Sequence, residues 1–309
     1  MPNDFNQQII EEFRANAGEV GGPFEGARLI LLTTTGARTG QRHTTPVAYY
    51  AAGDGDVLVI ASAGGAPKHP DWFRNLLAHP QVTVESGVFT YEATAEVLEG
   101  TARDEAFARA VEADPGWADY QARAGRVIPV VVLHPIPSDG PPNVSASSMG
   151  QYVRLIHDAF RRELALIRKE IGNAGPTTLG AQLRINCLTF CQGLHNHHTG
   201  EDIGMFPFLA DSHLDLAPVL DRLREEHERI AELTAELKQV IGADPAAATG
   251  PADPASPQRV REEVERLAAA LEAHLTYEEE QLIPVLDAPP RPAGPARPAG
   301  AREATGAAH

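Results

Sequence analysis

The sequence predicts two domains of different class, an α+β domain followed by an all-α domain. Three observations lead to this prediction. The first half carries short β-branched runs separated by turn signals, the second half carries long segments with helical apolar periodicity, and a proline-rich stretch at 136–148 divides them. A length of 309 residues suits about two domains. We therefore expect domains at 1–135 and 149–287, and a disordered Pro/Ala/Gly/Arg-rich tail at 288–309.

Composition and charge restrict the class of partner. The net charge is −16, so the chain offers no basic field to nucleic acid or to an anionic lipid surface. The longest apolar runs, such as 127–133, are far shorter than the roughly 20 residues of a membrane-spanning helix. The first residues do not form a secretory signal, and two cysteines make at most one bridge, so we expect a cytoplasmic protein. Assembly into an oligomer is compatible with this composition.

The first half begins with an amphipathic helix predicted at 4–17 and continues mainly as strands. Its β-branched runs and turn signals predict strands at 28–35, 44–52, 57–63, 82–85, 88–98 and 127–133, and helices at 70–78 and 102–124. The second of these helices is expected to break near Pro115 and Gly116. Mostly antiparallel strands with a few helices are typical of an α+β barrel or sheet.

Two loops of this half carry binding chemistry. Residues 36–42 (GARTGQR) lie between the first two strands, where glycines let backbone amides turn toward an anion and arginines offer bidentate phosphate donors. Taken alone, this pattern favours an ordinary hairpin with solvated arginines. Residues 61–70 (ASAGGAPKHP) end a strand in small side chains, which leaves room for a flat ring system, and Lys68 adds a third cation for phosphate.

These loops resemble the deazaflavin-dependent nitroreductase family. Residues 36–40 (GARTG), 45–47 (TPV), 64–76 (GGAPKHPDWFRNL) and 119–123 (DYQAR) carry the likeness, which covers nearly all of 5–135. The resemblance implies a split β-barrel that binds coenzyme F-420 and passes a hydride from the reduced coenzyme to a quinone, a nitro compound or a similar electron-poor acceptor. It places Arg38, Arg42 and Lys68 near the phosphate tail. The implied coenzyme-binding residues are Arg38, Thr39, Gly40, Arg42, Thr45, Pro46, Ser62, Ala63, Gly64, Gly65, Pro67 and Lys68.

The acceptor side departs from the family pattern. Members that reduce nitroimidazoles tend to have tyrosines at three-residue spacing over the acceptor pocket, whereas this sequence has Asp114, Trp117 and Tyr120. Trp117 and Tyr120 are the catalytic candidates that the resemblance implies. An equally weighted alternative is that both aromatic side chains pack a helix onto the barrel. The choice of acceptor is therefore left open.

The second half repeats one pattern of ligands. Helices are predicted at 149–172, 177–209, 213–241 and 256–286. The second and fourth place a histidine and a glutamate four residues apart on the apolar stripe, so that both side chains share one helical face. On the second helix, Met205 continues this stripe. The ligand pairs are His197 with Glu201 and His274 with Glu278, and the first and third helices each add one inward histidine, His157 and His227.

Four histidines on apolar stripes favour a shared metal. A single histidine of this kind is most often a hydrogen-bonded core residue, but several of them with two buried carboxylates need a common partner. Mixed nitrogen and carboxylate ligands suit iron or manganese better than a closed thiolate zinc site. The sequence therefore predicts a metal site bound by His157, His197, Glu201, His227, His274 and Glu278.

With these residues, 150–286 resembles the hemerythrin-like HHE cation-binding family. The resemblance implies an up-and-down four-helix bundle that holds two iron ions as a non-haem diiron centre, with Glu201 and Glu278 as bridging carboxylates. Oxygen-carrying members have a further histidine on the third helix, where this chain has Ala231. His195 is expected at the surface, and His198 is either a hydrogen-bonding partner of a ligand or an alternative ligand.

Two functional hypotheses follow. The first is a coenzyme F-420-dependent oxidoreductase fused to a diiron domain that binds or senses dioxygen, nitric oxide, iron or redox state. The alternative is a non-enzymatic diiron sensor or iron-binding protein whose barrel retains the coenzyme. Cys187 and Cys191, four residues apart, are expected to be small core residues, with a redox pair as the other interpretation. The sequence leaves open whether the two domains exchange electrons.

Overall fold

The computed structural model describes residues 4–137, 143–144, 146–173, 179–242 and 256–288. The first part of the chain forms helices α1 (Asp4–Ala15), α2 (Asp71–Ala78), α3 (Gly100–Ala113) and α4 (Gly116–Ala124), and strands β1 (Leu29–Thr35), β2 (Arg42–Gly53), β3 (Asp56–Ile60), β4 (Gln81–Ser86), β5 (Phe89–Val97), β6 (Val130–Pro135) and β7 (Asn143–Val144). The second part forms α5 (Met149–Asn173), α6 (Ala181–Gly200), a π-helical turn (Glu201–Met205), α7 (Phe206–Ser212), α8 (Ala217–Gly242) and α9 (Pro257–Leu286). The expected tail and most of the loop before α9 lie outside the described residues.

Strands β1 to β6 close into an antiparallel barrel. The order is β4-β1-β2-β3-β6-β5, and pairing of β4 with β5 joins the two ends. Alternation along β1 separates two cores, because Ile30 and Leu32 point into the barrel whereas Leu29 and Leu31 pack under α1. The predicted fold class of the first half is confirmed. Within the predicted linker, β7 pairs with β5, so this stretch adds a short strand to the barrel sheet.

Helices α5, α6, α8 and α9 form the bundle. Neighbouring pairs are α5 with α6, α6 with α8, α8 with α9 and α9 with α5, which is the arrangement expected for successive antiparallel helices. Apolar side chains from all four helices fill one continuous core. The all-α class predicted for the second half is confirmed. Among the described helices, none combines the length and the apolar character required to cross a membrane.

The barrel and the bundle dock through a seam of polar contacts. Arg28, at the start of β1, lies between Glu163 and Glu170 of α5, and its Nη2 donates to Glu163 Oε1 at 2.6 Å. Gln182 of α6 donates from Nε2 to the carbonyl oxygen of Ala51 at 2.7 Å. These contacts join the barrel directly to helices α5 and α6 of the bundle.

Both cysteines lie in the bundle core and are free thiols, which supports their interpretation as small core residues. Burial raises the pKa of Cys191 to about 11 and raises the pKa of Cys187 well above its ordinary value. A raised pKa leaves less thiolate at pH 8, and the thiolate is the form that reacts.

We therefore expect native protein at pH 8 to react with iodoacetamide on the order of 100-fold more slowly than a model thiol. Mass spectrometry of the alkylated protein measures this rate. Protein unfolded in guanidinium serves as the control and should take up two labels. Rapid labelling of the native chain, or no labelling of the unfolded chain, would contradict the assignment of two buried free thiols.

Candidate metal centre and coenzyme pocket

The bundle gathers seven candidate ligands at one level of its core. They are His157 of α5, His197 and His198 of α6, Glu201 of the π-helical turn, His227 of α8, and His274 and Glu278 of α9. Their ligand atoms form overlapping groups within 4.8 Å: one triad holds His157, His197 and Glu201, and another holds His198, His227 and His274. The structure thus brings together all six predicted metal ligands and adds His198.

Each of the two glutamates touches both triads. Glu201 Oε1 lies 3.2 Å from His197 Nε2, and its Oε2 lies 3.6 Å from His227 Nε2. Glu278 Oε2 lies 3.6 Å from His157 Nε2 and 3.5 Å from His274 Nε2. Each carboxylate therefore lies between two groups of imidazoles.

The ligand atoms themselves have no hydrogen-bond partner. Buried polar atoms are nearly always hydrogen-bonded, since an unpaired one costs roughly 1–3 kcal/mol. Here the five imidazole Nε2 atoms and three carboxylate oxygens are buried and unpartnered, and they face one centre. These atoms belong to His157, His197, His198, Glu201, His227, His274 and Glu278. A cation is the partner that satisfies nitrogen and oxygen lone pairs at once, so the donor set fits a metal.

The opposite ring nitrogens are held by carboxylates. A carboxylate at Nδ1 fixes the tautomer with its proton on Nδ1, and the Nε2 lone pair is then directed at the centre. Sequence reasoning missed these carboxylates, although each is the neighbour in sequence of a candidate ligand. The pairs are His157 with Glu279 at 2.9 Å, His227 with Asp202 at 3.0 Å and His274 with Glu226 at 3.0 Å.

Burial sets the charge state of the cluster. It lowers the pKa of His227 and of His274 to about 4, and it holds the pKa of His197 well below its usual value. Burial and the neighbouring Glu278 raise the pKa of Glu201 well above its usual value. The imidazoles of His197, His227 and His274 therefore stay neutral at pH 7, as metal coordination requires.

His198 supplies the fifth imidazole. Its side chain is 6% exposed, and its ring stacks on His227 with centroids 4.1 Å apart. The sequence left open whether His198 is a ligand or a hydrogen-bonding partner, and the structure places its Nε2 among the ligand atoms. Ala231 and His195 are both exposed, as expected for His195.

The π-helical turn corrects the predicted stripe beyond Glu201. We expected Met205 to continue the apolar face, but Phe206 is the fully buried residue, 0% exposed, and stacks on His227 with centroids 5.3 Å apart. A π-helical turn adds one residue to a helical turn, so the inward position moves by one. Helix α9 has no such turn, and Leu282 is buried four residues after Glu278.

The two predicted coenzyme loops lie at the same end of the barrel. In an antiparallel barrel the carboxyl ends of β1 and β3 meet at one edge, so the 36–41 turn and the 61–70 loop are neighbours. Asn75 of α2, the helix that follows the 61–70 loop, holds the 36–41 turn, because its Oδ1 accepts from Ala37 N at 3.1 Å and its Nδ2 donates to Thr34 Oγ1 at 3.1 Å. The three predicted phosphate cations, Arg38, Arg42 and Lys68, are exposed.

The 61–70 loop has the open backbone that ring binding requires. Ala63 and Gly64 have positive φ angles of 51° and 65°, and no atom would lie within 4 Å of a Cβ at Gly64. Positive φ at a non-glycine residue is a strain that clusters at functional sites. Arg126 holds the loop by donating from Nη2 to the carbonyl oxygens of Ala61, Ser62 and Lys68 at 3.1, 3.2 and 3.2 Å. No sequence signal pointed to Arg126.

The two aromatic candidates have different environments. Trp117 is 8% exposed, and its indole Nε1 donates to the Tyr50 hydroxyl at 2.6 Å, which supports the packing interpretation. Tyr120 is half-buried and stacks edge-on against Trp117 with centroids 5.6 Å apart. The backbone of Tyr120 lies against Gly65, where a Cβ would come within 3.2 Å of its carbonyl oxygen. Of the two, Tyr120 is thus the one in contact with the loop.

Comparison with known proteins matches each half to a family. Residues 6–135 match the model of the F-420H(2)-dependent quinone reductases, and residues 149–286 match the hemerythrin HHE cation binding domain. F-420H(2)-dependent quinone reductases from two strains of Mycobacterium tuberculosis are 38% identical over 126 residues, covering 39% of this chain and 83% of each relative. A solved F-420-H2 dependent reductase is 39% identical and covers 35% of this chain and 94% of its own, with a TM-score of 0.32.

Proposed function

The chain belongs, through residues 6–135, to the F-420H(2)-dependent quinone reductase family, and on that premise we propose that it oxidises reduced coenzyme F-420 with a quinone as acceptor. The observation that carries this proposal is the open backbone at Ala63 and Gly64, at the end of the barrel that also carries three exposed cations. When bound, the coenzyme supplies the hydride.

The residues of the pocket bind the coenzyme and orient it. Arg38, Arg42 and Lys68 pair with the phosphate tail, where charged hydrogen bonds are strong. The deazaflavin approaches the backbone at Gly64, since no side chain fills the space there. Arg126 keeps the loop in place through its three carbonyl contacts. Tyr120 borders the acceptor, and Trp117 positions Tyr120 by packing against it. Reduction of nitro compounds is a further candidate for the same pocket.

The bundle is proposed to hold two iron ions. His157 and His197 would hold one ion, His198, His227 and His274 would hold the other, and Glu201 and Glu278 would contribute carboxylate oxygens. Bound iron would supply one-electron redox chemistry and affinity for dioxygen or nitric oxide. The buried, unpartnered ligand atoms support this assignment. The domain then acts as a receptor or sensor for one of these gases or for iron itself.

Anaerobic incubation of the metal-loaded protein with reduced coenzyme F-420 and menadione tests the enzyme proposal. We expect the absorbance of oxidised coenzyme to appear with menadione. The Lys68→Ala variant should raise the KM for the coenzyme about 10-fold, the effect of losing roughly 1.4 kcal/mol of charged hydrogen bonding.

Arg14→Ala serves as the matched control, since Arg14 binds Glu85 on the barrel surface. It should leave the KM unchanged. If no coenzyme is oxidised with menadione, other quinones or nitro compounds, the protein is not a reductase and the non-enzymatic alternative replaces the proposal.

A further inference from the structure

A cavity of about 250 Å³ lies between the barrel and the bundle. We call it the interdomain cavity. Its barrel wall includes Tyr49 and Phe89, and its bundle wall includes Phe160, Phe190 and Gly193 of helices α5 and α6. The cavity is at the end of the barrel opposite to the coenzyme loops, where β1 begins and where the turn between β4 and β5 lies.

The chemistry of the cavity wall is mainly apolar. Most of the lining residues are aromatic, aliphatic or glycine. The charged lining residues already have partners: Arg28 and Glu163 pair with each other in the cavity wall, and Arg162 donates to the carbonyl oxygen of Ala17. An apolar cavity of this kind holds small apolar molecules, such as gases, more readily than ions or hydrated polar molecules.

Within the part of the chain that the structure describes, the ligand atoms of the metal centre have no direct opening to solvent. The ligand nitrogens of all five histidines and both oxygens of Glu278 are buried. Along the bundle axis, one side of the centre is filled by a cluster that includes Phe206 and Leu282, and the other side is filled by the main bundle core. A ligand must therefore pass between helices.

Phe160 is the partition between the interdomain cavity and the centre. Its ring lines the cavity, and its centroid lies 5.2 Å from that of His197, a member of the first ligand triad. It also packs edge-on against Phe190, with centroids 5.9 Å apart. One aromatic ring thus separates an apolar cavity from a candidate iron ligand.

We propose that the interdomain cavity is the entry route by which an apolar diatomic gas reaches the metal centre, and that rotation of Phe160 opens it. This inference rests on the proposed diiron function. The inference adds the path of the gas and the residue that limits the rate of gas entry. It also gives the contact between the two domains a role in that path.

Two substitutions should have opposite effects on passage through the route. Phe160→Ala removes the partition. Gly193→Leu fills the space beside it, because a Cβ at Gly193 would already lie 3.7 Å from Phe160 Cε1. Phe208→Ala is the control, since Phe208 is 65% exposed on α7 and does not line the cavity.

Stopped-flow mixing of the reduced, iron-loaded protein with nitric oxide measures the association rate. We expect Phe160→Ala to raise the rate about 10-fold and Gly193→Leu to lower it about 10-fold, each corresponding to about 1.4 kcal/mol in the barrier. Phe208→Ala should leave the rate unchanged. If Phe160→Ala does not fold, the association rate of Gly193→Leu alone tests the route.

Crystals of the metal-free protein pressurised with xenon give an independent readout. Xenon density is expected in the interdomain cavity of the wild type and absent from Gly193→Leu. Full iron content together with unchanged association rates, or a cavity without xenon, would overturn the route and leave the diiron proposal standing. A wild-type protein that binds no iron after anaerobic loading would overturn both proposals.

Discussion

Replacing Glu278 by alanine should reduce the bound iron from about two ions per chain to one or fewer, because this carboxylate contacts both imidazole triads. Glu278 is 0% exposed, and its Oε2 lies within 3.6 Å of the Nε2 atoms of His157 and His274. Without it, two cations would face each other across the bundle with one bridging carboxylate instead of two. Iron analysis after anaerobic loading and desalting measures the change.

Glu280→Ala is the matched control for this substitution. Glu280 has the same side chain on the same helix but is exposed. It should keep the wild-type iron content. His195→Ala provides a second control on α6, since His195 is also exposed. A folded Glu278→Ala protein, by circular dichroism, that still holds two iron ions would show that the ligand assignment is incorrect.

Replacing Arg28 by alanine should destabilise the docked arrangement of the two domains by about 2–5 kcal/mol. Arg28 is the cation between Glu163 and Glu170, and its removal leaves two partly buried carboxylates without their cation, with only the Asn186 amide still donating to Glu170. Thermal unfolding and limited proteolysis measure the effect. Arg14→Ala breaks an exposed pair with Glu85 and should cost no more than about 1 kcal/mol.

The sign of the pH dependence distinguishes this mechanism from a simple loss of packing. Burial raises the pKa of Glu163 even with Arg28 present. A carboxyl group with a raised folded-state pKa costs stability above its unfolded pKa, and protonation relieves that cost as the pH falls. The loss of stability caused by Arg28→Ala should therefore be smaller at pH 5 than at pH 7. An equal loss of stability at both pH values would mean that lost packing causes the destabilisation.

Helical periodicity was sufficient to select all six candidate metal ligands of the sequence, including His157 and His227 on the first and third helices. His197 with Glu201 and His274 with Glu278 share a face because four residues span about one turn of an α-helix. His198 was less certain, since its neighbour His197 lies about 100° away on an ideal helix. Only the packing of four helices around one point shows that both rings reach the centre.

Other features had no local signal in the sequence. The π-helical turn is a change of helical geometry, so a regular wheel assigned the inward position to Met205 rather than to Phe206. Arg28 is a single arginine before a strand, and nothing near it in sequence predicts partners on α5. The docking of the domains and the interdomain cavity both depend on such long-range contacts, which a proline-rich linker does not encode.

The position of the bundle at the far end of the barrel has a consequence for electron transfer. Strand β1 contains 7 residues, so the two ends of the barrel are about 20 Å apart at roughly 3.3 Å per residue. The candidate coenzyme loops and the candidate metal centre therefore lie on opposite sides of the barrel core. If both proposed groups bind, this separation would keep hydride transfer at one end of the barrel apart from iron chemistry at the other.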